Sequence, residues 1–284
     1  GLPGLAIAGV PARRQRQAVA VVLGGGALVA LLGAGAVAWL APRSAAGAWV
    51  VMATFATGLA IPTLWLVARG QRRLRAMELR GEERQLAIAD AGVSRIHWAP
   101  LIALAMGFVL TGAAQVPMAL YEPLVASDRV GLSASMSSAS FGVMGFGGLV
   151  AALLVFTLPR AWPTALLLPG VALVGAAGAW LYAAARTPQQ LLLAAFLIGL
   201  WSIMTSSLTL DRLPALVPAD LQRRCWATLT TLNGLGFVLF SMGTSSLAQS
   251  TLVPLLWLGL GVMVLQLLME VLQIRQTTGS NSGD

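Results

Sequence analysis

Glu122, Asp211, Arg212 and Glu270 stand at the edges of long uncharged runs, and through them this sequence could do chemistry. A carboxyl group can bind and release a proton, and an acid beside an arginine can pair or part as a gate. Other chemistries lack their parts. The one histidine, His97, excludes a site built from several histidine ligands. The one cysteine, Cys225, excludes a disulfide framework and any CxxC metal or redox motif. No nucleotide-binding or catalytic spacing occurs, so the sequence points to no cofactor, no metal and no enzyme.

The elements that must position these residues follow from hydropathy. Apolar residues make up 57% of the chain and charged residues 10%, and mean hydropathy is +0.81. An Arg or Asp at mid-bilayer costs roughly 2.5–3.5 kcal/mol on the insertion scale, so charge-free runs of about 20 residues are what a bilayer selects. The expected fold class is all-α, a polytopic transmembrane bundle of about eight spans. They run over 17–41, 46–68, 99–121, 135–159, 162–185, 188–210, 225–247 and 251–270. Residues 225–270 as one helix would be about 69 Å long at ~1.5 Å per residue, twice the hydrocarbon core. The polar run from Thr244 to Thr251 is where that stretch should turn.

All 18 basic residues are arginines, and alternating the loops leaves one side of the membrane with Arg43, Arg129 and Arg186 alone. That asymmetry marks the arginine-rich side as cytoplasmic and puts both termini of the chain there. The arginines therefore serve topology and give no indication of nucleic acid; the lipid bilayer is the partner implied. Trp39, Trp49, Trp65, Trp98, Trp162, Trp180 and Trp226 lie near span ends, as interfacial aromatics do.

Between the second and third spans lies RGQRRLRAMELRGEERQLAIADAGVSRIHW, residues 69–98. It reads either as a solvated, charge-balanced linker or as a regulatory or partner-binding element. Leu74, Met77, Leu86 and Ile88 offer an apolar edge for surface helices broken near Gly81 and Gly92.

A long cytoplasmic loop followed by six spans resembles the second half of a major facilitator superfamily transporter. Residues 99–275 would be its C-terminal six-helix half, helices 7–12. Residues 17–69 would be helices 5 and 6, with 1–16 a cytoplasmic segment, 70–98 the central loop and 276–284 a disordered tail. DRVGLSASMSSASFGVMGFGGLVAALL resembles the entry into helix 8, and LPALVPADLQRRCWATLTTLNGLG the loop between helices 10 and 11. The chain departs from the family's loop motif: GLAIAGVPARRQR keeps Arg13 and Arg14 without the Asp. The first span, with GGGALVALLGAGAV, lacks the proline of many antiporters. The opening GLPGLAIAG reads as the end of an apolar stretch, so the sequence is expected to start mid-protein and to be transport-incompetent alone.

The resemblance implies secondary transport of a small neutral, amphipathic or hydrophobic solute by alternating access, with efflux the expected direction and protons a candidate coupling ion. It places the pathway mainly along helices 7 and 10, with 8 and 11 beside them. In lipid, a polar side chain within a span needs an internal partner or a wet cavity. That singles out Thr111 and Gln115, four apart on one face, Trp201 and Thr205 in the next-but-two span, and Asn233 beyond it. Ser202 and Ser206 form the neighbouring stripe, and Pro117 can hinge the outer half of its span. Each has an ordinary reading too. Threonines bond to their own helix, Trp201 packs, and Asn233 glues helices beside Gly234 and Gly236. Glu122 reads as a solvated loop acid or an outer vestibule group. Asp211 with Arg212 reads as an inner gate or an interfacial pair, and Glu270 as an inner-end residue. Any essential coupling acid is then expected in helices 1–4. The competing readings are an eight-span membrane enzyme and a permease subunit of a larger complex.

Overall fold

A run of apolar residues in lipid must satisfy every backbone N–H and C=O within itself, and the helix is the single-segment solution. The computed structural model describes residues 12–40, 95–159 and 162–280, with isolated positions at 47, 50, 54, 57, 58 and 72. Helix α1 spans Ala12–Leu40 and α2 spans Trp98–Gln115, continued by a π turn over Val116–Leu120. A short α3, Glu122–Val130, leads into α4, Ala134–Thr157. Then come α5 (Thr164–Ala184), α6 (Pro188–Arg212), α7 (Ala219–Ser250) and α8 (Leu252–Ser280). Among the described residues there is no strand, and seven helices are long and apolar enough to cross a membrane. The chain is a multi-pass helical membrane protein. The expected span over 46–68 and most of the loop over 70–98 lie outside the described residues.

Local chemistry sets the boundaries. Pro117 has no N–H to give the carbonyl of Ala113, which accepts from Val116 N instead, and α2 widens into its π turn there. Gly131, with φ 70°, closes α3: Gly131 N donates to Ser127 O at 3.0 Å and Leu132 N to Ala126 O at 3.1 Å. Ser133 caps α4 through Met136 N, and Thr187 caps α6 through Gln190 N. The break between α7 and α8 falls at Thr251, in extended backbone, inside the polar run where a turn was needed. The sequence boundaries missed α3 altogether, because nine residues with a Glu, an Asp and an Arg carry no transmembrane signature.

Helices α1, α4 and α6 pack in series, α5 packs on α6 and α8, and α2 is gripped between α7 and α8. Lipid tails are as apolar as leucine, so association here rests on close van der Waals contact. Small residues provide it. A Cβ on Gly147 would meet the carbonyl oxygen of Phe196, and one on Gly199 that of Met144, so α4 and α6 touch backbone to backbone. Gly112 lies likewise against the carbonyl of Asn233, where α2 crosses α7. Trp39, Trp98, Trp162 and Trp180 face outward, as expected of interfacial aromatics. Trp226 does not: it is 2% exposed and stacks at 5.6 Å, tilted, on Phe108, because α7 begins at Ala219 and carries it inside the bundle.

Candidate functional site

Where α1, α2, α4 and α6 meet, their small residues leave a cavity of about 190 Å³. Gly26, Ala27 and Ala30 of α1 form one wall, and Gly145, Gly148 and Gly199 of α4 and α6 another. At the edge of this space the same glycines let α1 and α4 pack closely, since a Cβ on Gly145 would fall 2.7 Å from Leu31 N and one on Gly148 2.8 Å from Ala27 Cβ. Pockets for drug-sized ligands run to roughly 300–1,000 Å³, so this one takes a small solute or part of a larger one.

One polar pair faces the space. Gln115 Nε2 donates to Ser202 Oγ at 3.2 Å, tying the end of α2 to the middle of α6. This leaves the amide oxygen of Gln115 and the hydroxyl hydrogen of Ser202 to meet a ligand. The remaining lining is aliphatic or small: Ala119, Met144, Ile198 and Ile203. No charge lines it. The π turn places Ala119 one turn beyond Gln115, so the Pro117 distortion is built into the cavity's edge.

The other residues singled out from sequence lie elsewhere. Thr111 is fully buried and donates to its own helix at Gly107 O, 3.0 Å away. Trp201 is also fully buried; its Nε1 donates to Gln266 Oε1 at 3.2 Å, and its ring covers Gly175 of α5. Thr205, one turn on, is 1% exposed, and its hydroxyl has no partner among the described residues. Asn233 Nδ2 donates to Phe108 O at 2.7 Å, pinning α7 to α2. Of the five pathway candidates, the structure brings Gln115 to the cavity and sets the other four into helix packing. Ser202 and the Gly26–Ala30 turn belong to the cavity as well. A run of small residues facing a second such run was the signal for the turn.

The gate candidates also separate. Asp211 accepts a hydrogen bond from Thr164 Oγ1, at the start of α5. Arg212 is half-buried, with Nε and Nη2 unpartnered among the described residues. Glu122 is not a solvated loop acid: α3 folds it inward, its relative exposure is 0%, and Ser140 of α4 hydrogen-bonds its Oε1. It lies outside the membrane-spanning segments. Burial raises its carboxyl from 4.5 to about 7, with the Ser140 bond pulling the other way.

Glu270 needs a second correction. The last apolar run continues to Arg275, so Glu270 sits inside the span, fully buried against Gly107 of α2. Gln273 Nε2 donates to its Oε2, and its Oε1 has no partner among the described residues. With Gln266 one turn away it forms a buried polar stripe on α8, beside a glycine that leaves it room. An acid is therefore present within a span of this chain, where none was expected. Among the described residues no three of His, Cys, Asp and Glu converge. No protein-family model and no curated protein matches the sequence.

Proposed function

We propose that the protein is a secondary transporter that moves a small neutral, amphipathic or hydrophobic solute by alternating access, in the manner of the major facilitator superfamily. The observation that carries this reading is the uncharged cavity between α1 and the later helices, with Gln115 and Ser202 as its one polar pair. The helices that the resemblance sets around a transport pathway, 7, 8 and 10, correspond to α2, α4 and α6, and these line the cavity. Transporter sites of this class lie between helix repeats and are flanked by interrupted helices; here the π turn after Gln115 supplies the interruption. In this reading the arginine-rich ends face the cytoplasm, the membrane is the cytoplasmic membrane and the direction is efflux.

The test uses the gene at its own locus, with accumulation of a panel of neutral amphipathic dyes compared between parent and deletion strains. At least one dye should accumulate more in the deletion strain. Ser202→Leu, which fills the cavity with aliphatic volume, should reproduce the deletion by cutting efflux roughly tenfold or more, while leaving the amount of protein in the membrane unchanged. Gln115→Leu should act in the same direction. Equal accumulation of every dye in parent and deletion strains would sink the reading.

A further inference from the structure

Ser140 Oγ stands 2.7 Å from the carbonyl oxygen of Ser137 and within hydrogen-bonding reach of Glu122 Oε1. A hydroxyl has one hydrogen to give. With Glu122 ionised, that hydrogen serves one acceptor, and the other contact sets lone pair against lone pair. With a proton on Glu122 both contacts become hydrogen bonds: the carboxyl O–H donates to Ser140 Oγ, and Ser140 donates to Ser137 O. The geometry is complete only when the acid is neutral.

We propose that Glu122 is a reversible proton-binding site at the arginine-poor end of the bundle, where the bound proton bridges α3 to α4. The surroundings fit this use. Glu122 Oε2, Ser137 Oγ and the hydroxyl of Tyr182 are all buried and have no partner among the described residues. Tyr182 comes from α5. On α3 itself the charged groups are Asp128 and Arg129, and Arg129 Nη1 donates to Ala183 O at 2.7 Å, at the end of α5. Tyr121 precedes α3, and Arg186 precedes α6. Helix α4 carries no titratable residue, and α6 carries none before Asp211. No cation bonds directly to the carboxylate among the described residues, and burial favours the protonated form.

The site is three residues beyond Ala119, which lines the cavity, and the π turn with Pro117 runs directly into it. With the proton gone Ser140 can still donate to the carboxylate, but only by giving up Ser137 O, so one of the two links in the bridge is lost and the outer end of α2, which carries Gln115, is held less firmly. This link from proton to solute rests on the transport reading; the proton site does not.

Infrared difference spectroscopy on the purified protein in lipid nanodiscs, titrated from acid to alkaline pH, tests the site itself. A protonated-carboxyl band should disappear with a midpoint near 7. In a Glu270→Gln background, which removes the other buried carboxyl, the band should remain, and adding Glu122→Gln, whose amide can donate to Ser140 as the acid does, should abolish it. Ser140→Ala, which keeps the carboxyl and removes its partner, should displace the midpoint by about half a pH unit or more. A band that survives Glu122→Gln in that background, a midpoint unmoved by Ser140→Ala, or a carboxyl titrating near 4.5 would overturn the proposal. An intact titration with no dye efflux would leave the proton site standing and the transport reading refuted.

Discussion

Gly147→Val is expected to leave almost no folded protein. Its Cβ would run into the carbonyl oxygen of Phe196, and the reciprocal contact of Gly199 with Met144 O shows that α4 and α6 have no slack at this crossing. Overpacking costs about 1–3 kcal/mol where side chains can move aside. Here the obstruction is backbone on a facing helix, so α4 and α6 must separate, at a cost of at least about 3 kcal/mol against a total of ~5–15. Valine's branched β-carbon makes the collision worse. Size-exclusion chromatography of the solubilised protein should lose its monodisperse peak. Gly243→Val on α7, where a Cβ meets nothing within 4 Å, should keep it. Equal behaviour of the two variants would mean that the α4–α6 crossing is looser than described.

The second large effect is a dependence of stability on pH. Glu122 has its folded value raised from 4.5 to about 7, so the folded protein holds a proton that the unfolded chain has released between those values. The stabilisation is fully present below 4.5 and is lost as pH rises through about 7. Its size is on the order of 3 kcal/mol. The thermal midpoint of the detergent-solubilised protein should fall over this window, and Glu122→Gln should remove the Glu122 part of that slope. A midpoint that rises with pH across the same window would contradict the burial of Glu122.

What the sequence revealed, and what it hid, divides along physical lines. The positions of the seven described spans were legible because charge is excluded from a bilayer residue by residue, a rule that needs no knowledge of neighbours. Gln115 was legible for the same reason: an amide inside a span must find a partner, and it finds Ser202. Asn233 beside Gly234 and Gly236 signalled a close crossing, and its amide does tie α7 to α2. The positions of Glu122 and Glu270 were not legible. Glu122 follows the end of an apolar run, where sequence allows water or protein, and only the fold of α3 onto α4 decides. Glu270 looked terminal because polar residues follow it, yet the helix continues and Gly107 on another helix provides its space. Trp226 misled in the opposite way, since a tryptophan near two arginines looks interfacial until Phe108 is placed beside it. In each case the deciding partner is distant in sequence.

The cavity's role is tested most directly by its accessibility. In a Cys225→Ser background, Ser202→Cys would be exposed to a membrane-impermeant thiol reagent, in right-side-out and in inverted vesicles from cells carrying the gene at its own locus. Alternating access predicts that the reagent reaches this position from both sides of the membrane, and that a transported dye slows the modification from each. Modification from one side alone, or from neither, would contradict a transport cavity between α1, α2, α4 and α6.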